Sequence, residues 1–485
     1  MTLRFKLLSV VCLIGNMLSG LCLAAAADTS AQPCLNNAVT PSYEEQRLGN
    51  VLVAGGTPFA EQILAASGFT QFGLQFAQRL CDSGKVTSFD AANALVKASG
   101  IALWQAAVDR VQGVHVTGDL PRSDDRMLYW ARLKMTLALR QWQPAFALSD
   151  AQREQLQWTL ERASRGQLSM QFPSGPGFKR IILSGFDPFT LGTPGAAHPD
   201  THIRIGNPSG AIALALNGRR FNLPDGRVAI IQTYLLPVSY GPFRKGMQEH
   251  TLAPFFTGPD HVQASLTLSQ GGKGVFWIEN WHGRYHATNF PDNEGVTLSA
   301  RLPSAPDADI YPPADVLGYD PLPWNPRKPA QFIETTLPVA AMINARSGAQ
   351  VINASTGQKG GYPVIWHTNF TVFADCNALG TQDFNTPPPA SYPPPTAPVA
   401  PLANACAHSG GGGNYLSNES GYRNTLLRDT LAPTIAAGHL HVPVMTVFAP
   451  GDDDKLTDAM FESYRDSIVE QATGLIEAVT RAAGG

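Results

Sequence analysis

The chain has no surplus of charge to offer a partner. Its 35 lysines and arginines stand against 38 aspartates and glutamates, a formal net charge of −3, and no basic stripe runs along it to follow a phosphate backbone. Nucleic acid is therefore not an expected partner. Cysteine is scarce, with 6 in 485 residues, and neither a CxxC pair nor a His/Cys cluster of zinc spacing is present. No metal or other cofactor is expected. Neither Cys12 nor Cys22 follows a lipobox, so lipidation is not expected either.

The apolar run from Leu7 to Leu23 is interrupted by Gly15, Asn16, Ser19 and Gly20. It is preceded by Arg4 and Lys6 and followed by Ala24 to Ala27. A positive start, an apolar middle and a small-residue exit predict a secretory signal peptide over residues 1–27 rather than a spanning helix. Its removal takes away two positive charges, moving the formal net charge from −3 to −5. Four cysteines then remain for an oxidising compartment, periplasmic or extracellular, with no membrane contact after cleavage. Three pairings are open; Cys34–Cys81 and Cys376–Cys406 are favoured because each lies within one segment.

What is present divides into two blocks. From residue 28 to about 170 the pattern is helical, with amphipathic runs at 59–82, 87–111, 125–142 and 149–165 and with Ser88 and Ser149 as starts. This predicts an all-α accessory domain. Asp124 to Arg132 mixes charges with aromatics on one of these helices, and its charged face is expected to be solvated. At Phe178 the period changes. Apolar runs beginning at Phe178 and at Val228-Ala229-Ile230-Ile231, and a third at 262–269, separated by helical segments, predict an α/β domain over 171–485 with a mostly parallel sheet covered on both faces. Ala349 to Ala354 reads as another strand. The polyproline runs in 387–395 argue against a packed element there, and Asp452 to Asp454 read as the acidic start of a last helix from Leu456 to Ala483.

The chemistry concentrates late in the chain. Gly410 to Gly413 lead through Asn414-Tyr415-Leu416 into a helical run, which puts Ser417 at an N-cap. There its hydroxyl would sit beside backbone donors near Asn418 and Glu419 able to receive an oxyanion. About two dozen residues on, after Gly438 as a candidate helix cap, a strand carries His439 and His441 on one face. Either is a candidate base, whereas His282, His286 and His408 read as loop or surface residues. Upstream, Glu279 ends the apolar run Val275-Phe276-Trp277-Ile278. A carboxylate there is costly to bury without a partner, which an imidazole would supply. The HPDTH loop with His198, Asp200 and His202 reads as exposed polar backbone rather than a metal site.

GGNYLSNESGY resembles the AGTYVCNxxxY motif of pyroglutamyl peptidase I, the pyrrolidone-carboxylate peptidases, and GHLHVP resembles that family's GFIHVP. GFDPF at Gly185–Phe189, the NPS helix at Asn207, Leu236-Pro237-Val238, Pro291-Asp292-Asn293-Glu294-Gly295 and Thr335-Thr336-Leu337-Pro338 are similar to further motifs in the same order. The resemblance covers about 178–485, with insertions at about 190–205 and 355–407. It implies a three-layer α/β/α sandwich, Glu279, Ser417 and His441 as catalytic residues, and Phe186, Phe189, Asp292 and Asn418 at the substrate. The partner it implies is a peptide or small amide, with removal of N-terminal pyroglutamate as the reaction. Two positions depart from the motifs: Ser417 stands where the family has its cysteine, and Asn280 stands where it has an arginine. Against a Ser/His/Glu hydrolase these departures set two alternatives, a binding protein that keeps the pocket without turnover and an esterase or amidase of changed specificity.

Overall fold

The computed structural model describes residues 34–195, 201–286, 290–298, 302, 329–388, 392–445, 447–452 and 454–484. The stretch expected to be a signal peptide, His198, Asp200 and most of the stretch 302–330 lie outside the described residues. Among the described residues no helix is long and apolar enough to cross a membrane.

Helices α1 (Phe59–Ser67), α2 (Thr70–Leu80), α3 (Phe89–Gln112), α4 (Arg126–Gln141) and α5 (Asp150–Ala163) come first. The run 59–82 is two helices because Gly68 takes φ 78° and closes α1 with a left-handed cap. Ser88 and Ser149 cap α3 and α5 as expected, the latter in a capping box with Gln152. A disulfide joins Cys34 to Cys81 at the end of α2, and a second joins Cys376 to Cys406.

The α/β domain runs β1 (Phe178–Phe186), α6 (Pro208–Leu216), β2 (Arg220–Asn222), β3 (Val228–Leu236), α7 (Tyr240–Arg244), α8 (Met247–Phe256), β4 (Ala264–Gln270), β5 (Phe276–Glu279) and β6 (Trp281–Gly283). It continues with β7 (Phe332–Glu334), α9 (Val339–Asn344), β8 (Val364–His367), β9 (Phe370–Phe373), β10 (Thr381–Phe384), β11 (Cys406–Ser409), α10 (Leu416–Leu431), β12 (Ala436–Val442) and α11 (Ala459–Ala482). The central sheet has the order β2-β3-β1-β4-β12-β5-β8. β3, β1, β4 and β12 are parallel; β5 and β8, parallel to each other, run against β12. Alternation along β1 separates the two faces. Ile181 and Leu183 pack with α6 and α11, while Ile182 packs with α8 and α10. This is the expected α/β architecture, helices on both sides of a mostly parallel sheet.

Several local expectations are corrected. The stretch 349–354 is a turn rather than a strand, because Asn353 Oδ1 accepts the Ser355 amide and Gly357 takes φ 68°. A sheet strand lies instead inside the stretch assigned to an insertion, at β8. Gly438 does not cap α10; Pro433 stops that helix near Ala432, and Gly438 lies within β12, where a Cβ would stand 2.1 Å from Thr335 Oγ1. The last helix is capped by Asp458, whose Oδ1 accepts the Phe461 amide at 2.9 Å, and not by the preceding aspartates.

The charged face of α4 is not solvated. Arg126 and Arg132 are fully buried. Arg126 pairs with Asp124 at 2.6 Å, and Arg132 Nη2 lies 2.6 Å from Asp187 Oδ1. Arg165, just past α5, takes the other Asp187 oxygen at 2.7 Å. Asp187 belongs to the GFDPF turn, so two guanidiniums of the helical block hold the loop that carries Phe186 and Phe189. The apolar core is continuous across the same seam, from Trp104 and Trp130 to Leu214 of α6 and Leu235 of β3. Removing one member of a buried ion cluster leaves the others uncompensated. Asp187→Ala is therefore expected to lower the unfolding free energy by about 3–5 kcal/mol in urea titrations. A loss below about 1 kcal/mol, the worth of an exposed pair, would show that this seam does not hold the loop.

Candidate functional site

The polar centre of the domain forms where β5 and β12 run side by side. Glu279, the last residue of β5, is fully buried and uses both oxygens on imidazoles. His441 Nδ1–H donates to Oε1 at 2.6 Å, and His367 Nδ1–H, from the end of β8, donates to Oε2 at 2.6 Å. Burial alone would raise the carboxyl. His367 and His441 outweigh it and hold Glu279 down to about 2. At His367 burial acts to lower the imidazole, and the carboxylate wins, so it is raised above the ordinary 6.5.

The two histidines of β12 do separate work. His439 has both ring nitrogens occupied, Nδ1 by Thr267 Oγ1 and Nε2 by Ser269 Oγ, each at 2.8 Å. Burial pushes it well below 6.5, so it is a neutral, fully bonded core residue. Among the described residues His441 bonds through Nδ1, and its Nε2 is the nitrogen that a reacting group could use. His282 and His286, expected at the surface, are both fully buried. Burial lowers His282 to about 3. His286 pairs with Glu419 at 3.0 Å, and Glu419 also binds Arg423 at 2.8 Å, which reaches Glu249 at 2.6 Å. This network anchors α10 from beneath.

The glycine loop is shaped by close approach. At Gly411 a Cβ would stand 1.8 Å from Glu279 Oε2, and at Gly410 one would stand 2.3 Å from Asn418 Oδ1. A Cβ on Gly412 would lie 3.0 Å from the Asn418 amide and 3.3 Å from His441 Cε1, so this residue sits between the start of α10 and the imidazole. The helix begins two residues earlier than expected. Tyr415 is the N-cap and Ser417 lies inside the first turn, because buried Leu416 packs beneath the sheet as its first residue. The Glu419 amide is not an oxyanion donor, since it donates to Tyr415 O at 3.0 Å. Leu416, Ser417 and Asn418 carry the first-turn amides that a helix leaves without intrahelical acceptors.

Ser417 lines a cavity of about 30 Å³ together with Phe186, Phe189 and Tyr415. Among the described residues its hydroxyl makes no hydrogen bond to His441. The Asn418 side chain does not face this space; it is clamped to Gly283 N and O at 2.9 and 2.7 Å. Asp292 is likewise occupied, accepting the amides of Tyr240, Glu294 and Val296 at 2.8–2.9 Å. It borders a second cavity of about 250 Å³ on the far side of Phe189, one wall of which is Tyr43 and Arg47 from the start of the helical block. Asn280 bonds Trp366 Nε1 at 3.1 Å and Glu334 at 3.3 Å, which fixes β5 and leaves no charge where an arginine would place one. Among the described residues no group of three or more His, Cys, Asp or Glu is set to hold a metal.

His367 is the site residue that sequence reading missed. The apolar run Val364-Ile365-Trp366 before it was its only signal, and it lay in a stretch assigned to an insertion.

Two outcomes follow from this geometry. Glu279 lies lower in the folded chain than its ordinary 4.5, so the stability it contributes is complete above about 4.5 and is lost as pH falls toward about 2. Glu279→Gln is expected to flatten that part of the pH–stability curve measured by chemical denaturation; an unchanged acid limb would contradict the pairing. Gly411→Ala is expected to cost about 1–3 kcal/mol, as overpacking does, while Gly380→Ala, with open space around it, stays within about 0.5 kcal/mol of the native chain.

Comparison with known proteins gives a family for the chain. Residues 24–161 match the model of the PA0049 N-terminal domain and residues 180–446 that of the PA0049 C-terminal domain. A protein of Pseudomonas aeruginosa described as uncharacterized protein PA0049 is 44% identical over 502 aligned positions, covering 92% of this chain and 90% of that protein. Among solved structures, a mutant pyrrolidone carboxyl peptidase of Pyrococcus furiosus is 17% identical, with a TM-score of 0.31, over 62% of this chain and 97% of its own. Pyroglutamyl peptidase I of Bacillus amyloliquefaciens is 16% identical, with a TM-score of 0.31, over the same shares. By its sequence match in both domains, the chain belongs to the PA0049 family.

Proposed function

We propose that the chain is an exported hydrolase in which Ser417 attacks an amide carbonyl, His441 takes the hydroxyl proton and returns it to the leaving amine, and Glu279 orients His441. The observation that carries this reading is the 2.6 Å bond from His441 Nδ1 to a buried carboxylate, which leaves Nε2 free beside the loop that meets the start of α10. Serine is a poor nucleophile until a base removes its proton, and imidazole held in one tautomer by a carboxylate is suited to that step. The first-turn amides of α10 would receive the oxyanion. The substrate class comes from the motif resemblance: an N-terminal pyroglutamyl peptide or a related amide, with Phe186 and Phe189 against the acyl group.

The cavity at Ser417 has room for about one water. An acyl group therefore extends beyond this space or displaces the rings that line it. Phe189 and Tyr415 line the space with centroids 5.3 Å apart, and Phe290, which lines the neighbouring cavity, packs against both at 5.5 and 5.8 Å and is 47% exposed. This constriction, with serine in place of cysteine, favours a second reading, a protein that binds a lactam or peptide terminus without turnover.

Purified mature protein incubated with a fluorogenic pyroglutamyl amide and a panel of short esters separates the readings. Turnover that falls at least about 10³-fold in Ser417→Ala supports the hydrolase, and the preferred substrate tells peptidase from esterase. Absence of turnover, with free pyroglutamate raising the melting temperature, supports the binding protein.

A further inference from the structure

One carboxylate serving two imidazoles is not needed to orient a single base. Both Glu279 oxygens are taken at 2.6 Å, by histidines on opposite neighbours of β5, one on β12 and one on the edge strand β8. The carboxylate supplies one negative charge. In a site this buried a single cation is balanced by it, and a second would be left uncompensated. The two positions are unequal hosts for that cation. The His367 side chain is 18% exposed and that of His441 is 7% exposed. Trp277 lies face to face with His367, centroids 4.9 Å apart and planes 21° apart, an arrangement that favours a cationic ring. With His441 the same indole makes only a T-shaped contact at 6.2 Å.

No other neighbour offsets this asymmetry. The groups around His441 are Glu279, the neutral His439 with ring centroids 4.7 Å away, and the neutral His282 beyond it. Among the described residues the charged group acting on His367 is Glu279, and a Cβ on Gly411 would lie 3.3 Å from His367 Nδ1.

We infer that His367 is a positioning residue: it takes the charge that balances Glu279, fixes the carboxylate through its second oxygen and keeps His441 the neutral imidazole of the pair. The catalytic meaning of this assignment rests on the hydrolase reading, because a neutral His441 is the form able to accept a serine proton. The charge distribution itself does not depend on turnover.

The test is histidine ¹⁵N NMR on the full mature chain at about pH 6, with His367→Gln as the variant. Glutamine keeps a donor to Glu279 and removes the charge. The native chain is expected to show His367 protonated on both nitrogens and His441 protonated on Nδ1 alone, and His367→Gln is expected to convert His441 to the doubly protonated form. His441 doubly protonated in the native chain, or singly protonated in both proteins, overturns the assignment. If the pyroglutamyl amide is turned over, His367→Gln should also move the acid limb of the pH–rate profile upward while the plateau falls by less than about threefold. His367→Ala, which removes the donor as well, should lower the plateau. An acid limb that stays in place in His367→Gln also overturns the inference. If nothing is turned over, the hydrolase reading fails and the spectra alone decide the question of charge.

Discussion

The site depends on one buried carboxylate that has no access to water and is kept charged by imidazole. Glu279 lies at the end of a short strand that runs against its neighbour, and this reversal sets it opposite His439 in register while its side chain reaches His441. Desolvating a carboxylate at that depth costs several kcal/mol unless partners replace the lost water. Two imidazole donors and the packing of Gly411 against Oε2 provide that replacement. The glycine loop and the end of β8 both meet this group, through Gly411 and His367.

The helical block takes part in the same construction. Asp187 follows the C-terminal end of β1, at the same end of the sheet as Glu279 and His441, and its turn carries the phenylalanines that line the Ser417 cavity. Arg132 and Arg165 hold that turn through charge, and Tyr43 and Arg47 wall the larger cavity on the other side of Phe189. Arg47 donates to Gly192 O and to Asn293 O, which ties the start of the block to both loops at that cavity. The block therefore shapes the approach to the pocket and is more than a separate module appended to it.

Much of this was legible in the residues. Caps at Ser88 and Ser149, the change of period at Phe178 and the apolar strands follow local rules of capping and alternation, and the structure has them. The cysteine pairs followed from segment proximity. What was not legible depended on tertiary partners. Arg132 of α4 looks solvated in sequence because its acid, Asp187, is more than 50 residues away. His282 and His286 look like loop residues because the helix that buries them comes more than 120 residues later. His367 was hidden by the proline and glycine content around it, which masks a four-residue edge strand. The helix start was missed by two residues because burial of Leu416 outweighs the capping preference of Ser417.

The presence of serine at 417 and of a second imidazole on Glu279 fit one charge scheme. A cysteine nucleophile is commonly poised as a thiolate beside an imidazolium, so its histidine must already be cationic before substrate arrives. A serine needs the opposite starting state, a neutral imidazole that becomes cationic only as the hydroxyl loses its proton. On the charge assignment proposed above, His367 holds the cation and His441 starts neutral, which suits a hydroxyl and would not suit a thiolate pair. When His441 takes up the serine proton, the oxyanion formed in the same step supplies the second negative charge, so the site stays balanced while His367 keeps its proton against Glu279. His367 is therefore part of the same chemistry as the choice of nucleophile.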